Sequence, residues 1–179
     1  MATISTRTLA KSVMKKLIQI CTSIILALLF VANSNAQQPA LDLQAFNKQA
    51  FEQVKQKYHG NKWLVLLWSV DCPPCMKELA LVQKLQQQKQ DLAVVIINVD
   101  TGEESASQRR EIIRHFDLTN QLHLYFREGL EDHSRFLIDP QWFGELPRSY
   151  FIDEAGKFHG KSGLVAKELL QKWLLGDKA

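Results

Sequence analysis

Two continuous apolar runs of strand length stand out in the middle of the chain, WLVLLW at 63–68 and LAVVIINV at 92–99. Unbroken apolar runs of this length are typical of strands that are buried on both faces. Between them, apolar side chains recur at steps of three and four residues over 75–85, which predicts a helix over 73–90. A strand–helix–strand order predicts a parallel pair of strands joined by a right-handed crossover.

Shorter patterns on either side of this unit complete a single domain. An apolar residue at every fourth position predicts a helix over 46–58. The segment 127–146 has no regular pattern, apart from one helical turn predicted near 132–137. The other predicted elements are helices over 104–116 and 165–175, a strand over 123–126, and hairpin strands over 149–153 and 157–159. Together these elements predict a three-layer α/β fold, with a mixed central β-sheet flanked by helices on both faces.

The N-terminal segment differs in composition from the rest of the chain. It contains basic residues but no aspartate or glutamate, then an apolar run over 17–32, then small and polar residues that end at Ala36. This order is typical of a secretory signal peptide, and Ser34 and Ala36 have the small side chains that the cleavage site requires. The sequence therefore predicts a signal peptide at 1–36, cleaved after Ala36, and a mature domain at 37–179.

An uncleaved membrane anchor is the alternative for the same segment. The apolar run over 17–32 has about 16 residues, short of the ~20 that span a bilayer, which favours cleavage. In either case the mature domain is expected in the periplasm, free or anchored to the inner membrane. That compartment is oxidising, so cysteine pairs can form disulfides there.

The formal net charge of +3 arises from the N-terminal segment. Without its four basic residues the chain has 18 basic and 19 acidic residues, a net charge of −1. This balance excludes nucleic acid and anionic membrane surfaces as partners on charge grounds. Of the three cysteines, Cys21 would leave with the signal peptide, so Cys72 and Cys75 remain. The hydrophobic fraction of 46% and charged fraction of 23% are ordinary for a globular protein.

Cys72-Pro73-Pro74-Cys75 lies where a predicted strand ends and a predicted helix begins. The N-terminus of a helix carries partial positive charge, so it favours the thiolate form of a cysteine there. We expect Cys72, at the start, to be the exposed nucleophile, and Cys75, one turn later and further inside, to resolve a mixed disulfide. Prolines are tolerated in the first turn because their missing N–H has no partner there. This placement favours redox cycling.

Other uses of a cysteine pair fit this chain less well. Attachment of a c-type haem needs histidine directly after the second cysteine, where the chain has Met76. A structural zinc site needs four ligands, and the five histidines form no pair at the usual short spacing. A purely structural disulfide across so short a loop would contribute little to stability. We therefore expect no metal and no organic cofactor.

Two separated motifs resemble the thioredoxin superfamily, and most closely the exported TlpA-like thiol–disulfide oxidoreductases, which include the reductases of cytochrome c maturation. The first is WSVDCPPCMKE at 68–78, and the second is GELPRSYFID at 144–153, followed by Gly156 and Gly160. The resemblance covers about 46–173. It implies a thioredoxin-like fold and a function in reducing disulfides of client proteins. It also implies a membrane-embedded partner that supplies electrons.

The resemblance assigns roles to residues around the cysteine pair. Pro147 matches the family's cis-proline, which faces the two cysteines and positions the backbone of a substrate beside the nucleophile. Its neighbours Leu146 and Arg148, together with Trp68, are expected to bind substrate. Glu78 matches an acidic residue that serves as general acid or base for the resolving thiol. A solvated helix carboxylate is the alternative interpretation of Glu78.

Three features depart from the family pattern or extend it. Thioredoxin has a buried aspartate six residues before the first cysteine, where this chain has Leu66, so proton transfer would depend on Glu78 or water. Arg148 replaces the usual threonine after the cis-proline, which predicts an altered choice of substrate. Trp142, in the long segment before the second motif, is interpreted as a core residue, with recognition of substrate as the alternative.

Two other functions stay open beside the reductase. Soft thiolate ligands favour copper(I), so the pair Cys72 and Cys75 would also suit a copper(I) metallochaperone or binding module. A disulfide-forming oxidase is the third hypothesis, because the direction of exchange depends on thiolate stability and local electrostatics rather than on the motif.

Overall fold

The computed structural model describes residues 14–16, 19 and 41–176. Backbone contacts divide the chain into two units, Met1–Gln38 and Pro39–Ala179, and the fold and site below belong to the second. The predicted signal peptide and its cleavage after Ala36 lie almost entirely outside the described residues and stay predictions. Within the described part of the chain, no helix is long and apolar enough to cross a membrane.

Residues 41–176 form six strands and five helices. The strands are β1 (Leu43–Ala45), β2 (Trp63–Trp68), β3 (Val94–Asn98), β4 (Leu122–Tyr125), β5 (Arg148–Ile152) and β6 (Phe158–Ser162). The helices are α1 (Lys48–Lys57), α2 (Pro73–Gln86), α3 (Glu103–His115), α4 (Glu131–Ile138) and α5 (Lys167–Leu175).

All six strands form one mixed sheet in the order β1-β4-β3-β2-β5-β6. The pairs β1–β4, β4–β3 and β3–β2 are parallel, so the predicted parallel pair of buried strands is confirmed. The pairs β2–β5 and β5–β6 are antiparallel. The mixed sheet with flanking helices confirms the predicted three-layer α/β fold class.

The sheet separates two apolar clusters because successive side chains of a strand point to opposite faces. Leu64, Leu66 and Trp68 of β2 face a cluster that includes both cysteines and the buried residues of α2 and α5. Trp63, Val65 and Leu67 face a second cluster that includes the buried residues of α1. Every residue of β2 is buried, as the unbroken apolar run predicts. The cysteine motif begins after the end of β2, one of the two central strands.

The structure differs from the predicted elements mainly at edges and ends. Strand β1 was not predicted, because its three residues are too few to show a period and its pairing depends on β4. Helix α4 has eight residues rather than a single turn. Strand β6 continues to Ser162, three residues beyond the predicted end, because it pairs with β5 over its whole length.

Helix α1 begins two residues later than the apolar period predicts. Asn47 has an extended backbone, and its side chain accepts a hydrogen bond of 2.8 Å from the amide of Ala50. That bond satisfies one of the unpaired amides of the first turn, so Asn47 is the N-cap. Phe46 then lies outside the helix, where its ring packs against Phe51 and Phe126.

We expect Asn47→Ala to lower the free energy of unfolding by about 1 kcal/mol, because the Ala50 amide loses its partner. Urea denaturation followed by circular dichroism measures the change. The control is Asn120→Ala, at an exposed position outside the helices. Equal stability of the two variants would show that the cap does not hold the start of α1.

Candidate active site

Cys72 and Cys75 form a disulfide at the junction of β2 and α2, with their Cα atoms 5.2 Å apart. Strand β2 ends at Trp68, the loop 69–71 follows, and Cys72 is the N-cap residue of α2. Cys72 is 7% exposed and Cys75 is fully buried. The predicted order of exposure is confirmed, although the absolute exposure of Cys72 in the disulfide is small. An incoming thiol or disulfide therefore meets Cys72 first.

The first turn of α2 surrounds the Cys72 sulfur with positive polarity. The backbone amide of Cys75 donates a hydrogen bond to Cys72 Sγ over 3.3 Å. Pro73 and Pro74 occupy the first two helical positions, where no N–H is needed. Because a helix N-terminus carries partial positive charge, this arrangement favours a thiolate at Cys72 after reduction.

The loop 69–71 before Cys72 is tied to the end of β3. The Asp100 carboxylate accepts hydrogen bonds from Ser69 Oγ at 2.6 Å and from the Val70 amide at 2.8 Å. Asn98 Nδ2 donates to the same carboxylate at 2.7 Å, and Arg109 Nε donates to Asn98 Oδ1 at 2.6 Å. Asn98 and Arg109 are buried, whereas Ser69 and Asp100 are half-buried, so the network is shielded from water on its Asn98 side.

Sequence reasoning missed Asp100, Asn98 and Arg109 as parts of the site. The signal that could have found two of them is the pair of polar residues, Asn98 and Asp100, at the end of an otherwise apolar run. The carboxyl ends of parallel strands meet at one edge of the sheet, so these side chains lie near the end of β2. Arg109 gave no such signal, since its place in the network depends on how α3 packs.

Glu78 is fully buried one helical turn after Cys75, so its interpretation as a solvated helix carboxylate is wrong. Its Oε1 accepts a hydrogen bond of 2.7 Å from the Val165 amide, and its Oε2 accepts one of 3.5 Å from Ser149 Oγ. Burial raises the pKa of Glu78, and these two hydrogen bonds lower it by less. The site therefore holds a carboxyl group that keeps its proton to higher pH than an exposed glutamate.

The departure at Leu66 is accompanied by a buried carboxyl group at Glu78. Leu66 and Ser149 are register partners on β2 and β5, and Glu78 reaches Ser149 from α2. Thioredoxin has its buried aspartate on the strand, where this chain has Leu66. The buried carboxyl group of this chain, Glu78, lies on helix α2 and contacts strand β5.

The Leu146–Pro147 peptide bond is cis, as the resemblance implies. Pro147 directly precedes β5, whose first residue Arg148 is in register with Leu67 near the end of β2. The topology thus brings the cis-proline to the sheet edge where the cysteine loop begins. Leu146 is half-buried and packs against both apolar clusters, so part of its side chain faces solvent.

Two residues expected to bind substrate have little or no surface free to do so. The Trp68 side chain is fully buried within the cluster that contains the cysteines, so a docked protein cannot reach it in this conformation. The Arg148 side chain is only 14% exposed and pairs with Asp139 and Glu145. Direct contact with substrate is therefore supported for neither side chain.

Trp142 is a core residue, as expected for an aromatic side chain. Its side chain is buried in the cluster that includes α1, and its Nε1 donates a hydrogen bond of 2.9 Å to the Glu145 carbonyl. The neighbouring Phe143 is 89% exposed. The exposed aromatic residue beside the cis-proline segment is thus Phe143, which sequence reasoning did not single out.

Across the described residues, no cluster of three or more histidine, cysteine, aspartate or glutamate side chains could hold a metal ion. Cys72 and Cys75 could themselves provide two soft ligands once reduced. The chemistry that the described groups support without a further ligand is thiol–disulfide exchange, with one slightly exposed cysteine, one fully buried cysteine and one buried carboxyl group.

Comparison with known proteins identifies the family of this chain. The profile of the AhpC/TSA family matches residues 36–161. The thioredoxin-like protein YneN of Bacillus subtilis (strain 168) is 31% identical over 120 residues, which are 65% of this chain and 66% of that protein. The match therefore spans slightly less than two thirds of the relative's length.

Solved structures share the fold. A thiol:disulfide interchange protein of the thioredoxin family from Chlorobium tepidum TLS matches with a TM-score of 0.51 at 16% identity, covering 66% of this chain and 80% of that one. A thioredoxin-like protein in the oxidized form matches with a TM-score of 0.52 at 20% identity, covering 75% and 90%. Because the family profile covers more than half of its length, this chain belongs to the AhpC/TSA family, and its fold is thioredoxin-like.

Proposed function

We propose that this protein is an exported thiol–disulfide oxidoreductase that reduces disulfides in client proteins of the periplasm. The observation that carries the proposal is the Cys72–Cys75 disulfide at the N-terminus of α2, with the Cys75 amide donating to Cys72 Sγ. The cis-Pro147 segment at the same edge of the sheet supports it. A structural neighbour described as a thiol:disulfide interchange protein is consistent with this chemistry.

The reaction begins from the reduced pair. The Cys72 thiolate attacks one sulfur of a client disulfide, forms a mixed disulfide, and releases the other client sulfur as a thiolate. Cys75 then loses its proton and attacks Cys72 Sγ. This step forms the Cys72–Cys75 disulfide and expels the second client sulfur as a thiolate. Two electrons pass to the client, and the two client thiolates take up two protons.

Glu78 is the group that we propose to take the proton from the Cys75 thiol. Glu78 lies one turn further along the same helix, and Cys75 is fully buried in an apolar cluster. A raised pKa makes the Glu78 carboxylate a stronger base than an exposed glutamate. It also returns the proton when the disulfide is reduced again, so Glu78 acts as acid and base in alternate half-reactions.

Regeneration needs a two-electron donor, which we propose is a thiol pair of a membrane-embedded partner. The donor's thiolate would attack the Cys72–Cys75 disulfide at Cys72, since Cys75 is fully buried. The Cys72 sulfur thus reacts first with the client and then with the donor. No organic cofactor is required.

The proposed function predicts that Cys75→Ser traps clients. Without the resolving thiol, the mixed disulfide formed at Cys72 cannot be released internally, so covalent adducts should accumulate. Purification from the native host, followed by non-reducing electrophoresis and mass spectrometry, identifies them. Cys72→Ser is the matched control and should carry none. If Cys75→Ser carries no adduct either, the exchange mechanism is wrong.

The direction of exchange is tested by the reduction potential of the pair. A reductase should lie near −270 mV, whereas a strong oxidant lies near −120 mV. Equilibration with glutathione redox buffers and alkylation of free thiols gives the value. A potential near −120 mV would support the oxidase hypothesis. Tight copper(I) binding without catalysis of insulin reduction would instead support the metallochaperone.

Glu78→Gln should slow the resolving step by about 10²-fold, since a general base typically contributes this much or more. Stopped-flow mixing of the reduced variant with insulin should show a longer-lived mixed disulfide. Glu111→Gln, at an exposed position on α3, is the matched control. An unchanged resolving rate would remove Glu78 from the mechanism.

Glu78 should also make stability depend on pH. Because burial raises its pKa, the folded protein retains this proton at pH values where the unfolded chain has lost it. The stabilising contribution of the protonated group is complete at low pH and is lost as pH rises through the raised pKa. The free energy of unfolding of Glu78→Gln should therefore rise relative to that of wild type as the pH increases. Urea denaturation across pH measures it, and a constant difference would contradict the buried, titrating carboxyl.

A further inference from the structure

The guanidinium of Arg148 joins three separate segments around the cis-proline. Its Nη2 donates a hydrogen bond of 3.0 Å to Asp139 Oδ2, at the end of α4. Its Nη1 donates to Glu145 Oε1 at 3.2 Å and to Ser162 Oγ at 2.6 Å. Ser162 Oγ in turn donates to Glu145 Oε1 at 2.8 Å, which closes the network. We call these four side chains the Arg148 clamp.

The fold leaves a specific space for this guanidinium. It lies over the Tyr150 ring, 4.7 Å from the centroid, and Tyr150 donates a hydrogen bond of 3.0 Å to the same Asp139 oxygen. A Cβ atom at Gly160 would collide with Arg148 Nη2. Gly160 belongs to the second motif of the sequence, and the structure supplies a reason for a residue without a side chain there. The backbone of Gly160 is not in the left-handed region.

The clamp fixes both ends of the segment 139–145, which leads into the cis-proline. Inside that segment, the Trp142 amide donates to the Asp139 carbonyl at 3.0 Å, and Trp142 Nε1 donates to the Glu145 carbonyl at 2.9 Å. Phe143, at the tip, is 89% exposed, although its neighbour Trp142 is buried and hydrogen-bonded. An exposed aromatic side chain on an anchored turn is the kind of group that binds an apolar side chain of a partner.

We propose that Arg148 is a positioning residue for client binding: by fixing the segment 139–145, it holds Phe143 and Leu146 before cis-Pro147 in the arrangement that receives the polypeptide around a client disulfide. This inference rests on the proposed function and specifies how the site recognises its substrate class. It replaces the expectation that Arg148 itself contacts substrate. The client surface that it fits carries an apolar side chain that the exposed Phe143 ring can contact.

A bidentate clamp of this kind is sensitive to the shape of the cation as well as to its charge. The guanidinium reaches two carboxylates through two different nitrogens, whereas a lysine ammonium is a single point charge. Arg148→Lys should therefore restore only part of the function lost in Arg148→Gln.

The test compares a protein substrate with a small disulfide. For pre-reduced Arg148→Gln, the half-saturating concentration of insulin should rise about tenfold, because misplacing a positioning group weakens productive binding. The rate with hydroxyethyl disulfide, which has no polypeptide to position, should stay unchanged, and so should the reduction potential. Arg114→Gln, at an exposed position on α3, is the matched control. An equal loss with both substrates, or no loss with insulin, would overturn the positioning role.

Hydrogen–deuterium exchange provides a readout that does not depend on activity. The amides of residues 139–146 should exchange faster in Arg148→Gln than in wild type, and those of α2 should not. If wild type fails to reduce insulin but this local difference is present, the proposed function is wrong while the clamp stands as a structural device. If exchange over 139–146 is unchanged, the clamp does not hold the segment, and the positioning proposal is wrong.

A second variant keeps the charge and tests the same geometry. Gly160→Ala adds a methyl group where the guanidinium lies and leaves all four clamp side chains present. It should raise the half-saturating insulin concentration and the exchange of 139–146 in the same direction as Arg148→Gln. In the double variant the two increases in half-saturating insulin concentration should not add, since both substitutions displace the same guanidinium contacts. Full additivity would show that Gly160 and Arg148 act separately.

Discussion

The site depends on the position at which helix α2 starts. Cys72 ends the loop that follows the central strand β2 and at the same time caps the helix, so its sulfur lies against the Cys75 amide, the first N–H of α2. Moving that start by one residue would turn the sulfur away from this amide, because each helical residue rotates by about 100°. Two features fix the residue at which α2 starts. The prolines at its first two positions disfavour helical backbone before them, and the Asp100 carboxylate holds Ser69 and Val70 by hydrogen bonds. The polarity that favours a thiolate is thus a consequence of backbone placement.

A single buried carboxyl group connects this helix start to the rest of the sheet. Glu78 extends from α2 to the Val165 amide and to Ser149 on β5. Both partners donate to it, which compensates part of the cost of placing a carboxylate in an apolar cluster. The remaining cost appears as its raised pKa. The property that makes Glu78 suitable for proton transfer therefore arises from the same burial that packs α2 against the sheet.

Strand β5 supplies different chemistry to the two faces of the sheet because its side chains alternate. Ser149 points toward Glu78, while Arg148 and Tyr150 converge on Asp139 on the other side. One strand, starting directly after the cis-proline, therefore contributes both to the hydrogen bonds of Glu78 and to the contacts of Asp139. A substitution in β5 can in this way affect one set of contacts without the other.

The sequence by itself determined the parts of this protein that depend on neighbours in the chain. The apolar runs at 63–68 and 92–99, the period of α2 and the cysteines at its start are local patterns, and the second motif placed the cis-proline.

The remaining features depend on contacts between segments that are far apart in the chain. The three residues of β1 form a strand only because β4 offers a free edge. Whether Glu78 is solvated or buried depends on Val165, 87 residues away. The Arg148 guanidinium is paired inside the protein because Asp139, Glu145 and Ser162 converge on it from three segments. These contacts leave no periodic trace in a single sequence, since each partner is an ordinary polar residue until the fold brings them together.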